Sequence, residues 1–330
     1  MISIVIDLGG SNFRAAAFTG DDPAPITHHK EPVGDDRAPD VIVERVARMI
    51  ERLADEVDAV DEVDAAGEPV PVGVGIAAML RDREGTVANS PHLRWRDVPF
   101  GALLARRLGE RFELGVYNDV NAITWGETIG GAARGYRDVL AVYVGTGIGG
   151  GLVCDGRLVE GARNCAGEIG HVKVAWGDVA APCMCGSRGC IEAYAGGSYV
   201  ERRIAKELGG ERPKRSLARQ LAGAGPITPS HVDAAAVEGD DWALETWTEL
   251  ASLMAVAIGN ALALTNPKCL VLGGGLLSRT PMLYELLVTA ISVAAPAPSL
   301  DGLVIEPAEL GDDAGLVGAA SLARSRRADD

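Results

Sequence analysis

The chain has 330 residues, 47% of them hydrophobic and 23% charged, with a formal net charge of −15. That length and balance suit one large or two ordinary globular domains, and the acidic surplus argues against a nucleic-acid-binding surface. No signal peptide is evident and no apolar run reaches the length needed to span a bilayer. The expectation is a cytoplasmic protein without membrane or nucleic-acid partners, whose thiols stay reduced.

In chain order, residues 2–7 and 12–18 read as a hairpin around Gly9-Gly10, and a polar stretch, 19–38, follows. Residues 39–56 are predicted helical, with apolar positions Val43, Val46, Ala47, Ile50 and Leu53 on one face. The acidic run 55–68 reads as a solvated helix end and loop. A strand is predicted at Val70–Ala77, a helix at 100–110, a strand at Leu114–Tyr117 and a helix at 119–130. The second half shows a strand at Val139–Val144, a glycine-rich turn and a strand at Gly151–Cys154. Residues 197–264 are mostly helical. Val271 and Leu272 end a short strand before Gly273-Gly274-Gly275. Helices at 281–293 and 315–326 enclose a strand at Leu303–Ile305.

This alternation is that of an α/β protein. It also contains an echo: Ile4–Asn12 and Val142–Gly150 are each an apolar strand, a glycine-rich turn with a hydroxyl residue, and the start of another strand. Two similar halves, each offering a phosphate-sized turn, predict two domains with a cleft between them.

In the first turn, Gly9 and Gly10 let backbone N–H groups converge on an anion, and Ser11 and Asn12 add donors. Asp7 is placed to hold Mg2+ through water. The competing reading is an ordinary hairpin turn. The second turn, Gly145–Gly151, contains G-x-G-x-x-G. A dinucleotide turn must open a helix, whereas this one runs into strand, and no Walker motif is present. It reads as a strand-turn-strand phosphate cradle involving Thr146, Gly147 and Gly149. Gly274 and Gly275 offer a close backbone approach for a flat base, or a plain turn.

Asn118-Asp119 ends a strand and opens a helix. Either residue suits a helix cap; beside two phosphate turns, Asp119 is a candidate to accept a substrate hydroxyl proton. Cys183, Cys185 and Cys190 form C-x-C-x4-C, with His171 twelve residues upstream of the first. This Cys3His set predicts a closed, structural Zn2+ site. Glu168 and Glu192 flank it, and carboxylates with an imidazole are good partners for sugar hydroxyls.

At these motifs the chain resembles the ROK family, named for repressors, open reading frames and sugar kinases. The elements that carry the resemblance are Asp7–Arg14, Asn118-Asp119, Gly145–Gly151, Glu168-Ile169-Gly170-His171, the three cysteines with Glu192, Gly273–Gly275 and Gly315–Ala320. The resemblance implies an actin- and hexokinase-like ATPase fold of two ribonuclease-H-like domains. We expect 1–118 plus 315–330 to form the first and 119–314, with the zinc site and most of the ATP-binding loops, the second. It also implies a kinase that uses ATP and Mg2+ on a sugar, usually at the 6-hydroxyl, and a homodimer or homotetramer. Asp119 would match the catalytic base, and Asn118, Glu168, His171 and Glu192 would match sugar-contacting positions. Asp7, Gly9, Gly10, Ser11, Asn12, Arg14, Thr146, Gly147, Gly149, Gly274 and Gly275 would serve ATP. His171, Cys183, Cys185 and Cys190 would match the zinc ligands.

The sequence departs from the family where Pro-Gly commonly follows the strand near residue 76. Here the run is Gly75-Ile76-Ala77-Ala78-Met79-Leu80, so Ala78 brings a Cβ to one face of the sugar. A hexose, an amino sugar of the kanosamine or N-acetylmannosamine type and a C7-cyclitol of the valiolone type all stand as acceptors. The alternative of another class is a sugar-responsive regulator or non-catalytic sensor; with the first phosphate-turn strand at residue 2, the expectation is that the regulators' DNA-binding segment is not present.

Overall fold

The computed structural model describes residues 2–20, 22, 24–58, 68–207 and 214–326, so most of the acidic run 55–68 lies outside the described residues. The chain divides into two compact units: Met1–Gly135 with Arg157–Ala166 and Glu309–Asp330, and Tyr136–Gly156 with Gly167–Ala308.

The first unit is built on β1 (Ile2–Leu8), β2 (Asn12–Thr19), β3 (Thr27–Pro32), β4 (Val70–Ile76) and β8 (Phe112–Asn118) in the order β3-β2-β1-β4-β8. β1 runs antiparallel to β2 and parallel to β4, and β4 runs parallel to β8. A small sheet of β5 (Met79–Leu80), β6 (Val87–Ser90) and β7 (Trp95–Val98) follows β4. Ile4, Ile6 and Leu8 point to one face, where they pack with the apolar face of α1 (Pro39–Asp58) and with α2 (Phe100–Leu108). Val5 points to the other face, which holds Ala122 of α3 (Asp119–Gly130) and Leu316, Val317, Ala319 and Ala320 near the C-terminus. Burying one such large apolar side chain is worth ~1.5–3 kcal/mol.

The second unit repeats the topology. Its strands are β9 (Val139–Val144), β10 (Ile148–Cys154), β12 (Cys269–Gly273) and β13 (Val304–Pro307), ordered β10-β9-β12-β13, while the two-residue β11 (Arg157–Leu158) belongs to a stretch of the first unit. β9 is again antiparallel to the strand after it and parallel to β12, which is parallel to β13. The echo read in the sequence is therefore a repeated sheet. Helices α4 (Glu192–Ala195), α5 (Gly197–Glu207), α6 (Leu217–Ala222), α7 (Pro229–Val237), α8 (Asp241–Thr265), α9 (Pro281–Ala294) and α10 (Ala297–Leu300) lie in this unit, and α11 (Ala314–Arg326) closes the first.

The structure adds one strand to the sequence reading and corrects two expectations. The polar stretch 19–38 contains β3, an edge strand whose alternate residues are exposed. The helix after Asn118 falls in the first unit, because α3 and α11 pack backbone to backbone. A Cβ on Gly126 would lie 2.1 Å from the Ala314 carbonyl oxygen, and one on Gly318 would lie 1.8 Å from that of Ala122. Finally, α8 is long and apolar enough to cross a membrane by length and composition. Its Trp247, Leu250, Met254, Ile258 and Leu262 instead form the core of the second unit, where α8 packs on α9.

Glu127, fully buried on α3, ties the start of the C-terminal stretch to the first unit. Its carboxylate accepts from the backbone N–H groups of Ala132 (2.9 Å), Glu309 (3.0 Å) and Leu310 (2.9 Å). Glu127→Ala orphans all of them and should lower unfolding stability by about 3 kcal/mol or more. Gly318→Val, which overpacks the α3–α11 contact, should cost ~1–3 kcal/mol. Urea unfolding monitored by circular dichroism checks both, and wild-type midpoints would refute this account of the first unit's closure.

Candidate active site

In the first unit the candidate residues gather at the carboxyl ends of parallel strands, the usual ligand-binding edge of an open α/β sheet. Leu8, Ile76 and Asn118 pair in one row across β1, β4 and β8, and Asp7, Gly75 and Tyr117 in the next. Asp7 and Asp119 therefore belong to the same sheet edge. Arg14 faces Asp7 across the hairpin and donates Nε to its Oδ2 at 3.1 Å. Burial pushes the Asp7 carboxyl above its ordinary range, against the opposing pull of Arg14. Arg14 also reaches Asp312 at 3.6 Å, just before α11.

Neither Gly9 nor Gly10 has a left-handed backbone. What excludes a side chain at Gly10 is space: a Cβ would lie 2.8 Å from that of His92, a residue without suggestive company in the sequence. The Ser11 carbonyl accepts from Val33 N–H at 2.8 Å, and that of Asn12 from Gly9 N–H at 3.1 Å.

Asn118 caps α3: its Oδ1 accepts from Asn121 N–H at 3.0 Å, while its Nδ2 donates to the Ala78 carbonyl at 3.0 Å. The cap reading of Asn118 is thus realised, and its side chain fixes the loop that carries Ala78. Ser90 Oγ donates to the Ala77 carbonyl at 2.9 Å, and Ala77 N–H to that of Leu8 at 3.0 Å. Asp119, the first residue of α3, accepts from Val120 N–H through Oδ1 at 3.0 Å.

In the second unit the turn Gly145-Thr146-Gly147 joins β9 to β10, and the turn after β12 lies against it. Gly274 has φ +94°, and a Cβ there would sit 2.6 Å from Val144 backbone atoms. Glu168 precedes a short helical turn and His171 is its last residue, with His171 Nε2 3.8 Å from Glu168 Oε2. Burial raises the Glu168 carboxyl, His171 opposes this, and Glu192 adds to it.

His171 turns its other nitrogen to the cysteines: Nδ1 is 3.8 Å from Cys183 Sγ. Cys185 and Cys190 sulfurs are 3.7 Å apart, and the ligand atoms of all four residues lie within 4.8 Å of one another. Tetrahedral zinc with sulfur at ~2.3 Å sets ligand sulfurs ~3.8 Å apart, so the donor set fits that ion. The gap is too wide for a disulfide. Gly186 (φ +89°) and Gly189 (φ +78°) make the turns between the ligands. Burial pushes the Cys183 thiol up to about 12, so a cation would have to displace its proton.

The model of the ROK family matches residues 3–326. This chain belongs to the ROK family. It is 30% identical over 327 residues to a glucokinase of Streptomyces coelicolor, covering 98% of each chain. It is 34% identical over 282 residues to an N-acetyl-D-glucosamine kinase of Pectobacterium atrosepticum, covering 82% of this chain and 86% of that one. The solved structure of a ROK family glucokinase from Streptomyces griseus, in complex with glucose and AMPPNP, superimposes with a TM-score of 0.78 at 27% identity. That match covers 98% of this chain and 100% of the other. The fold of this ROK protein is the actin- and hexokinase-like ATPase fold.

Sequence reasoning missed the glycine pair before α5. Gly197 N–H donates to the Gly145 carbonyl and Ser198 N–H to that of Thr146, each at 2.9 Å. A Gly-Gly pair opening a helix was the available signal. It also missed that Glu192 accepts from Ile148 N–H at 2.9 Å.

Elemental analysis of this ROK protein should find about one zinc per chain. Cys190→Ser should abolish binding, cost on the order of 4 kcal/mol of stability, and open residues 165–195 to limited proteolysis. A metal-free wild-type protein with the same melting curve would refute the zinc fit.

Proposed function

We propose that this chain transfers the γ-phosphoryl group of ATP to a hydroxyl of a hexose or hexose-like sugar, with Asp119 as general base. The observation that carries this reading is Asp119 itself. It heads α3 directly after β8, on the sheet edge that also carries Asp7, and Val120 N–H holds one of its oxygens. The full-length similarity to a glucokinase supports the activity.

In this reading Asp119 accepts the proton of the sugar hydroxyl as its oxygen bonds to the γ-phosphorus, and the bond from that phosphorus to ADP breaks. Such a transition state is loose, so the carboxylate acts mainly by orienting the hydroxyl. Glu168, His171 and Glu192 hydrogen-bond other hydroxyls of the sugar. Asn118 acts through the Ala78 loop and the start of α3, which its side chain fixes. Backbone N–H groups of Gly10 and Ser11 in the first turn and of Thr146 and Gly147 in the second receive phosphates, with Gly274-Gly275 beside the base. Mg2+, when bound near Asp7, neutralises phosphate charge. Zn2+ on His171 and the three cysteines holds the segment between Glu168 and Glu192, and reduced thiols in that cluster support a cytoplasmic setting.

The acceptor is a hexose at its 6-hydroxyl in the first reading. Ala78 favours the second, an amino sugar or cyclitol, because its methyl group stands where family kinases carry a bare glycine, and Asn118 holds its loop in place. A coupled ADP-release assay with glucose, mannose, N-acetylglucosamine, N-acetylmannosamine, kanosamine and a valiolone-type cyclitol separates them. One acceptor should turn over strongly, and Asp119→Asn and Asp119→Ala should lower its kcat by roughly 10²–10⁴-fold. Retained turnover would refute the base; ATP binding without transfer to any acceptor would favour a sensor.

A further inference from the structure

The turn Gly145-Thr146-Gly147 has its polar groups sorted. Its carbonyl oxygens are engaged: Gly145 by Gly197 N–H, Thr146 by Ser198 N–H and Gly147 by Gly145 N–H, each at 2.9 Å. Among the described residues, the N–H groups of Thr146 and Gly147 have no hydrogen-bond partner. Acceptors are thus drawn onto the start of α5 and two consecutive donors are left, the polarity of an anion cradle.

Glu192 holds the far side of this turn. Its Oε2 accepts from Ile148 N–H at 2.9 Å, and a Cβ on Gly147 would lie 2.4 Å from the same oxygen. The carboxylate therefore fills the space under Gly147 while fixing the residue after it. On the next residues, a Cβ at Gly196 would lie 3.3 Å from Gly147 Cα, and one at Gly197 2.5 Å from the Gly145 carbonyl oxygen. Residues 192–198 thus grip the turn from both ends. A carboxylate beside an anion cradle is electrostatically unfavourable for the anion, so its geometric part and its charge act in opposite directions.

We propose that Glu192 is a positioning residue for the nucleotide's phosphates, acting by holding the Gly145–Ile148 turn in its donor-exposing shape. This rests on the ATP-binding reading above. It gives Glu192 a second task beside the sugar contact, one exerted through the backbone and felt when no sugar is present.

The test is titration of the full chain with AMPPNP and Mg2+, without sugar, by calorimetry. Glu192→Gln keeps an acceptor for Ile148 N–H and removes the charge, so nucleotide should bind as tightly as in the wild type or more tightly. Glu192→Ala removes the acceptor and the filler, and affinity should fall about tenfold. Should Glu192→Ala fail to fold by circular dichroism, Glu192→Asp, one methylene short of Ile148 N–H, should show the same loss. Equal nucleotide affinity in the wild type and all folded variants, with only the sugar KM altered, would overturn the proposal. A wild type that binds no nucleotide would instead bring down the kinase reading, and this inference with it.

Discussion

The first unit depends on the near-contact of two helix backbones. With no Cβ at Gly126 or Gly318, α3 and α11 meet at a distance other residues forbid. Both helices begin at chemically informative places. α3 starts at Asp119, and Gly315, in the first turn of α11, sits against Asp7, whose carboxyl carbon would be 3.9 Å from a Cβ there. One helix crossing therefore sets the positions of two carboxylates far apart in sequence. β4 joins the same arrangement, since a Cβ on Gly73 would lie 2.3 Å from the Ala319 carbonyl oxygen. Glu127 then secures the chain on its way into α11 by accepting from the backbone N–H groups of Glu309 and Leu310.

The second unit uses the same economy of volume at its turn. Gly147 and Gly197 are required because a neighbour's oxygen occupies the place of their side chains, not because of their dihedral angles. Gly186, Gly189 and Gly274 differ, since their positive φ values alone favour glycine. The distinction matters for reading glycine-rich motifs. A G-x-G-x-x-G pattern that looks like a turn requirement is here largely a packing requirement, and its partners are Glu192, Ile169 and the start of α5.

Much of this was legible from the sequence, and the exceptions share a cause. The hairpin at Asp7, the turn at Gly145, the strand–helix junction at Asn118 and the Cys3His cluster all announce themselves through local residue type and spacing. β3 did not, because Thr27–Pro32 carries no large apolar residue: it is an edge strand and needs none. β5, β6 and β7 are too short to show a period of two. Glu127 lies in the stretch predicted helical, where nothing local marks it as buried, and its contacts with Glu309 and Leu310, more than a hundred and eighty positions away, help make it a core acceptor. The double duty of Asn118 was foreseen only in part. Its capping was visible in the residue type, whereas its grip on Ala78 needed the parallel pairing of β4 and β8.

The first unit is assembled from three separate stretches of chain, the last of them Glu309–Asp330. During synthesis β1, β2, β4, β8 and α3 leave the ribosome long before α11 does. At ~5–20 residues per second the interval is roughly ten to forty seconds. Until then Val5, Ala16, Phe18 and Tyr117 lack the Leu316–Ala320 surface that covers them. The second unit has a wait of its own, since β9 pairs with β12 and packs with the helices after residue 240, but its last strand ends at Pro307, before α11. A nascent chain therefore completes its C-terminal half first and its N-terminal half last, with an apolar sheet face open to chaperones in the meantime.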